Sequence, residues 1–293
     1  MLVKLIVVLL LSIIFLKMYR SRQVEHFANK KKVYNVAPND IYDKFYSNIY
    51  DQLFGDGSKN KFEIKEITKN ALNKWKKKTK ILDAGCGTGW HTHTLSKKYN
   101  IVGVDRSINM LKKARKLNAK HLLKLGNIMN NKLFKKDEFS HILCLYFTLY
   151  YMDNINRLFK NFNRWLLPNG FVVVHLVDRD NFDPLLSATS PFPAFSLQKY
   201  SKKRLTKSKV HFNNFVYEGN FNKNGEDSSV NFTETFDFKK KPIIRKQTHL
   251  LNMPTMDEIV DIAKRNGFKL VNKISMTPVS FEYQYLCFFR KVM

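Results

Sequence analysis

The sequence predicts an α/β fold with a doubly wound, mostly parallel sheet, and two observations carry this prediction. Residues 81–89 (ILDAGCGTG) begin with an apolar run and continue with three glycines at alternate positions. Asp105 follows Gly85 by 20 residues and ends a second apolar run, residues 101–104 (IVGV). Glycines let the backbone turn sharply and approach a ligand closely, and a carboxylate at the end of the second strand can accept hydrogen bonds from both ribose hydroxyls. The pattern is therefore typical of a β-α-β unit that binds a nucleoside.

The spacing of the glycines distinguishes two kinds of nucleoside site. A dinucleotide-binding loop has the pattern Gly-x-Gly-x-x-Gly or Ala, but the fifth position after Gly85 is Trp90. The segment instead resembles motif I of class I S-adenosylmethionine-dependent methyltransferases. This resemblance implies that Asp83 lies near the methionine end of the cofactor, S-adenosylmethionine, and that Asp105 binds its ribose. It also implies that the turn beneath the cofactor is formed by Gly85, Cys86, Gly87 and Gly89.

Later residues extend the resemblance over residues 40–290. Ser107 precedes apolar residues that recur every three to four positions over residues 108–117, which predicts a capped helix after the second strand. Gly126-Asn127 stands where the family commonly has Gly-Asp facing the adenine amino group. The Asn127 carbonyl can accept a hydrogen bond from that amine but carries no charge, so we expect cofactor binding to survive in a weakened form. The expected cofactor residues also include Tyr42, Arg106, Ile128 and Leu145.

Hydrophobic patterning predicts the remaining elements of the sheet. A fourth strand is predicted at 141–147. It is followed by a helix with an apolar face at Ile155, Leu158, Phe159, Phe162 and Leu166, which ends at 167–170 (LPNG), and by a buried strand at 171–177. A further helix is predicted between a capping box at 255–258 and Gly267, and the last two strands are predicted at 268–274 and 284–289. A terminal hairpin of this kind completes the Rossmann-like, seven-stranded methyltransferase sheet, in which the last strand is antiparallel.

Two further segments are expected near the pocket. Residues 181–247 are an insertion with β-like runs at 210–217 and 230–238, and such insertions usually cover the substrate pocket. Residues 41–54 resemble the aromatic helix that precedes the fold in many small-molecule methyltransferases and closes over the cofactor. Tyr42 and Tyr46 are candidates for that lid, and an aromatic stripe that only packs on the sheet explains them equally well.

The composition bounds the classes of function. Lys and Arg number 51 against 24 acidic residues, a net charge of +27, which by itself suggests nucleic acid or an acidic membrane as a partner. The cations are mostly Lys, dispersed among abundant Asn, Ile, Phe and Tyr, as AT-rich coding produces, so we do not favour a nucleic-acid substrate. Three scattered cysteines exclude a disulfide framework and favour a reducing compartment.

The N-terminus predicts a membrane anchor. Residues 5–16 are apolar without interruption and are flanked by Lys4 and Lys17, and no small-residue cleavage site follows them. We therefore expect a transmembrane anchor at residues 1–22, a basic tether at 23–39 and the methyltransferase domain at 40–293. The excess of Lys and Arg after the anchor places that domain in the cytoplasm. If the source is viral, the membrane is that of a host or a virion.

The sequence indicates the methyl acceptor less clearly than it indicates the cofactor. Residues 144–150 lack the Asn/Asp-Pro-Pro-Tyr motif of amide and base methylation, and no Pro-Cys nucleophile for cytosine methylation is present. We expect a small-molecule or lipid-like acceptor. The candidate general bases are His175 in the fifth strand, Asp178 just beyond it, His91 after motif I, and Tyr150.

Two alternatives to this function remain open. A protein or nucleic-acid methyltransferase would use the basic surface. A catalytically silent, methyltransferase-like membrane protein would explain the neutral Asn127 and the Tyr150-Tyr151 pair, which stands where many small-molecule relatives have Leu-His-His.

Overall fold

The computed structural model describes residues 12, 31–75, 78–117, 122–185, 203–223 and 228–292. Their strands are β1 (Lys32–Val36), β2 (Lys80–Ala84), β3 (Asn100–Asp105), β4 (Leu123–Leu125), β5 (Phe139–Cys144), β6 (Leu166–Val177), β7 (Lys207–His211), β8 (Phe215–Lys223), β9 (Ser229–Phe238), β10 (Ile243–Asn252), β11 (Phe268–Met276) and β12 (Phe281–Lys291). Their helices are α1 (Lys44–Phe54), α2 (Gly57–Asn70), α3 (Trp90–Ser96), α4 (Ile108–Arg115), α5 (Ile155–Trp165) and α6 (Met256–Arg265).

The main sheet has seven strands in the order β11-β12-β6-β5-β2-β3-β4. Strands β2 to β6 pair in parallel with one another, and β12 is antiparallel to both β6 and β11. The predicted seven-stranded, mostly parallel sheet with an antiparallel last strand is thereby confirmed. The fourth predicted strand ends at Cys144 rather than at residue 147, because the backbone turns there and Tyr146 has a φ of 51°.

Helices cover both faces of this sheet. Side chains of a strand alternate between its faces, so Ile142 of β5 packs in the same cluster as Leu158 of α5, whereas Leu143 packs with Ile67 of α2. Every residue of β5 is buried. Burial on both faces explains why the parallel strands are almost continuously hydrophobic in sequence.

Polar caps fix the helix ends that the sequence predicted. The Ser107 side chain accepts a hydrogen bond from the backbone N–H of Met110 and opens α4. Thr255 and Glu258 form a reciprocal capping box at the start of α6. Gly267 follows α6 with a φ of 79°, a left-handed conformation that glycine adopts without strain.

A second sheet is built from the insertion and from the segment before α1. Its five strands have the order β1-β10-β9-β8-β7. Strand β1 lies within the segment expected to be a tether, and it pairs in parallel with β10, with Lys32 opposite Ile243 and Val36 opposite Gln247. The inserted strands continue past the expected boundary at residue 247, to Asn252.

The expected membrane anchor, residues 1–22, falls outside the described residues except for Ser12. Among the residues that are described, no helix combines the length and the apolar character that crossing a bilayer requires.

Candidate active site

The glycine loop joins β2 to α3, and its three glycines have left-handed backbone conformations. Gly85, Gly87 and Gly89 have φ values of 76°, 54° and 83°, a region that residues with a Cβ rarely occupy. The backbone N–H groups of Gly85 and Cys86 both donate to the carbonyl of Val104, at 2.8 and 2.9 Å. The loop is therefore tied to the end of the neighbouring strand, β3, and it stands at the carboxyl edge of the sheet.

Two of these glycines are required by close contacts as well. A Cβ on Gly85 would lie 2.5 Å from Cγ2 of Thr148, and a Cβ on Gly89 would lie 2.6 Å from Cβ of Ala114. A Cβ on Gly87 would meet nothing within 4 Å. Gly87 therefore leaves open space for a ligand, whereas Gly85 and Gly89 allow the loop to pack on its neighbours.

Asp105 ends β3 and is oriented by two backbone groups. Its Oδ2 accepts from the N–H of Gly87 at 2.9 Å, and its Oδ1 accepts from the N–H of Ser107 at 2.8 Å. Burial raises the pKa of Asp105, although these two hydrogen bonds and Arg106 act in the opposite direction. Each carboxylate oxygen keeps a lone pair, so the group can still accept from a ligand hydroxyl.

Asp83 is the penultimate residue of β2 and is almost fully buried. The hydroxyl of Thr92 donates to its Oδ2 at 2.6 Å. Burial is the largest influence on Asp83 and raises its pKa, while His91 and the Thr92 hydroxyl lower it. A buried carboxylate with spare acceptor capacity suits a ligand ammonium group.

A cavity of about 1200 Å³ opens above these residues. Most of the cofactor residues expected from the sequence line it, namely Tyr42, Asp83, Gly85, Cys86, Gly87, Asp105, Arg106, Asn127, Ile128 and Leu145. Gly89 does not line the cavity, because it lies against Ala114. The Cys86 thiol is held protonated, since burial raises its pKa. Asn127 is exposed, and its Oδ1 accepts from the N–H of Met129 at 2.9 Å.

An aromatic wall lines the same cavity as the glycine loop. Asp43 caps α1 by accepting from the N–H of Tyr46 at 2.9 Å. Tyr46 and Tyr50 lie one turn apart on α1, and Tyr42, which precedes the helix, packs against both rings. Tyr151 joins them, with its ring centroid 5.9 Å from that of Tyr42. Burial strongly raises the pKa of Tyr42, Tyr46, Tyr50 and Tyr151, so these phenols are neutral.

Three of the four candidate general bases do not line the cavity. His175 is fully buried, 3.0 Å from Oε1 of Gln284, and burial lowers its pKa to about 4. The Tyr150 hydroxyl accepts from the backbone N–H of Val177 at 2.8 Å. The Asp178 carboxylate caps the following turn by accepting from the Asn181 side chain at 2.8 Å. These groups stabilise the fold around β6 and do not face a ligand.

His91 does line the cavity, and it belongs to a cluster that the sequence did not indicate. Its Nε2 lies 2.8 Å from Oε2 of Glu63, which also contacts Nζ of Lys59 at 3.1 Å. Burial tends to raise the pKa of Glu63, but Lys59 and His91 lower it to about 2. The four-residue spacing of Lys59 and Glu63 on α2 was the available signal, and such pairs also occur on exposed helix surfaces.

A second unpredicted cluster comes from the inserted sheet. His249 of β10 lies 2.6 Å from Oε2 of Glu234 on β9 and 2.6 Å from the hydroxyl of Tyr151. The amide of Gln247 and the hydroxyl of Tyr217 also donate to Glu234, at 2.7 and 3.0 Å. The sequence did not indicate this cluster, because Tyr151 and the members on β8, β9 and β10 are far apart along the chain.

A family model described as a methyltransferase domain matches residues 81–170, which carry the glycine loop, Asp105 and the strands up to β6. Residues 81–170 are a methyltransferase domain. Phosphoethanolamine N-methyltransferase 1 of Zea mays is 31% identical over 131 residues, which cover 43% of this chain and 26% of that protein. This chain thus spans about a quarter of that relative.

Solved methyltransferases share the fold of most of this chain. The CcbJ methyltransferase of Streptomyces caelestis is 17% identical with a TM-score of 0.67, over 88% of this chain and all of the other. The sugar N-methyltransferase KedS8 of a Streptoalloteichus species is 16% identical with a TM-score of 0.58, over 87% of this chain and 95% of the other. These structures confirm the predicted class I methyltransferase fold, and the family model confirms the predicted methyltransferase domain at residues 81–170.

Proposed function

We propose that this chain transfers a methyl group from S-adenosylmethionine to a small-molecule or lipid-like acceptor. One observation carries the proposal: the glycine loop, Asp83 and Asp105 border the same cavity as the aromatic wall. Ligand pockets commonly have volumes of about 300–1,000 Å³, so a cavity of about 1200 Å³ has room for a cofactor and an acceptor together. The rings of Tyr42, Tyr46, Tyr50 and Tyr151 are part of its lining.

The residues at the loop fit S-adenosylmethionine, which supplies an electrophilic methyl group when bound. The oriented carboxylate of Asp105 would accept from the ribose hydroxyls, and Asp83 would accept from the ammonium group of the methionine part. Lys59 lines the cavity beside Glu63, which acts on the pKa of Asp83, so its Nζ would bind the methionine carboxylate. The open space beside Gly87 supports this assignment, because a Cβ on this residue would occupy space that the cofactor would fill.

Methyl transfer is an in-line displacement, so positioning supplies much of its rate. The aromatic wall would hold the acceptor against the methyl group and exclude water. Both the maize relative and the Streptoalloteichus structure are named N-methyltransferases, which supports a nitrogen of a small molecule as the methylated atom.

We also propose that residues 1–22 anchor the protein in a membrane with the methyltransferase domain on the cytoplasmic side. The uninterrupted apolar run at 5–16 and the cations that follow it support this topology. An anchor would keep the cavity close to the bilayer, where lipid-like acceptors are concentrated.

Label transfer tests the proposed function. The purified full-length chain in mild detergent, given methyl-labelled S-adenosylmethionine and a cell extract, should label compounds in the small-molecule or lipid fraction. Label that enters only RNA, DNA or protein would contradict the acceptor class and favour a macromolecular substrate. Nucleic acid bound through the basic surface would also lose affinity steeply as salt rises, because each phosphate contact releases counterions.

A further inference from the structure

The inserted sheet carries a hydrogen-bonded chain of three side chains that ends at the cavity. Tyr151 lines the cavity, its hydroxyl lies 2.6 Å from Nδ1 of His249, and Nε2 of His249 lies 2.6 Å from Oε2 of Glu234. Both His249 and Glu234 are buried and do not line the cavity. Tyr151 is thus the point at which this chain meets a ligand.

The hydrogen bonds fix the direction of each donor. Burial tends to raise the pKa of Glu234, but His249 and the donors Tyr46 and Gln247 outweigh it, so the pKa lies below its ordinary value and the group is a carboxylate. A carboxylate only accepts, so Nε2 of His249 carries the hydrogen. In the neutral imidazole Nδ1 then accepts from the Tyr151 hydroxyl. The Tyr151 oxygen accepts from the Tyr42 hydroxyl and keeps a second lone pair that can accept from a ligand.

The charges around the cavity indicate what kind of ligand would donate to that oxygen. Among the described residues that line it, carboxylates outnumber the cations Lys59 and Arg106, although the chain as a whole has a net charge of +27. The carboxylates are those of Asp51, Asp56, Asp83, Asp105, Asp183 and Glu282. Tyrosine faces also attract cations. An ammonium group fits this combination of acidic and aromatic lining.

We propose that Tyr151, His249 and Glu234 form a proton relay that selects an amine acceptor and removes the proton that its ammonium form carries. The inference rests on the proposed function and deepens it. The ammonium N–H passes a proton to Tyr151 Oη, while the Tyr151 hydroxyl proton moves to Nδ1 of His249. The resulting imidazolium is paired with the Glu234 carboxylate.

The neutral amine then attacks the methyl carbon with its lone pair. The carbon–sulfur bond breaks, its electrons remain on sulfur as a thioether, and the methylated nitrogen becomes cationic. Tyr151 is the catalytic residue, because it touches the acceptor. His249 acts through Tyr151, and Glu234 keeps the imidazole oriented and stabilises its charged form.

The test compares variants in the label-transfer assay, with the amine-containing extract fraction isolated by cation exchange as the acceptor source. Tyr151→Phe and His249→Gln should each lower kcat about 100-fold or more, the size of a general-base contribution. Affinity for S-adenosylhomocysteine should change less than threefold, which also verifies folding. Tyr283 on β12 and His211 on β7 are exposed. The matched control variants Tyr283→Phe and His211→Gln should therefore retain the wild-type rate.

The pH profile separates a relay from a structural role. The ionisable groups facing His249 are Glu234, Tyr46, Tyr42 and Tyr151. In Tyr151→Phe the proton must leave to solvent, so the rate should rise about tenfold per pH unit below the pKa of the amine. The wild-type rate should depend less on pH over that range. A purely structural defect would lower the rate equally at every pH.

Each outcome decides between the proposals. Wild-type label in neutral or acidic products, or an unchanged kcat in Tyr151→Phe, would overturn the relay and leave methyl transfer intact. A uniform loss of rate across pH would also overturn it. A wild-type protein that labels no small molecule or lipid would overturn the proposed function, and the relay with it.

Discussion

Nζ of Lys59 lies 3.1 Å from Oε2 of Glu63, one helical turn later on α2, and both side chains are almost fully buried. Glu63 also contacts His91, and the two neighbours keep it ionised, with a pKa near 2. The carboxylate therefore holds the Lys59 ammonium group at the cavity wall. Because Glu63 and His91 also act on the pKa of Asp83, we expect Lys59 to bind the carboxylate of the methionine part of the cofactor.

Lys59→Met should lower the affinity for S-adenosylhomocysteine by about tenfold or more, since a charged hydrogen bond contributes about 1.5–3 kcal/mol. Calorimetric titration would measure this loss. Affinity for methylthioadenosine, which lacks the amino-acid part, should be unchanged in the same variant. An equal loss for both nucleosides would mean that Lys59 only stabilises the fold.

The glycines of the loop should differ in their tolerance of alanine. Gly85→Ala combines a left-handed φ with a contact of 2.5 Å to Thr148, whereas Gly87→Ala meets only the φ cost of about 1–2 kcal/mol. The melting temperature should therefore fall further for Gly85→Ala. Adding Thr148→Ala should recover part of the Gly85→Ala loss, and strictly additive effects of the two substitutions would refute the contact.

Acid should destabilise the protein through buried histidines. His141 is stacked on Phe171 within the core, and burial lowers its pKa to about 4, against about 6.5 in an unfolded chain. The unfolded state therefore binds the proton first as pH falls. The free energy of unfolding should decrease between pH 6.5 and pH 4 and change little from this source below pH 4.

Replacing this histidine should remove its part of the acid sensitivity. The free energy of unfolding, measured with denaturant, should fall from pH 7 to pH 4 in the wild type. In His141→Phe this fall should be smaller by on the order of 3 kcal/mol. The control His211→Gln, an exposed residue on β7, should retain the wild-type difference. Equal acid sensitivity in both variants would show that His141 is not the group responsible.

The sequence predicted the parts of the site that depend on local signals. The glycine loop, Asp105 and the Ser107 cap lie within 25 residues of one another, and each has a recognisable pattern. The capping box of α6 is equally local, so it was predicted with its correct boundaries.

The parts that were missed depend on long-range packing. Tyr151 and His249 are 98 residues apart, and β1 pairs with a strand more than 200 residues later. His175 was chosen for its place near the carboxyl end of β6. The two-residue period of the strand puts its side chain on the face that α2 covers, 3.8 Å from Glu63 and away from the cavity.

The anchor proposal makes a separate prediction. Full-length protein in membranes should resist extraction by alkaline carbonate and should retain Met1, because an apolar run without a cleavage site remains attached. Deleting residues 1–22 should shift the protein to the supernatant. A mature chain that begins after Tyr19, or a methyltransferase domain protected from protease on the lumenal side, would refute the topology.

Cofactor binding tests the central claim most directly. Calorimetric titration of the full-length chain with S-adenosylmethionine and S-adenosylhomocysteine should give saturable binding at one site. Asp105→Ala should weaken it about tenfold or more by removing the ribose acceptor, while the exposed control Asp257→Ala should bind as the wild type does. No detectable binding of either nucleoside by the wild-type chain, or a preference for a nicotinamide dinucleotide, would contradict the assignment of this site.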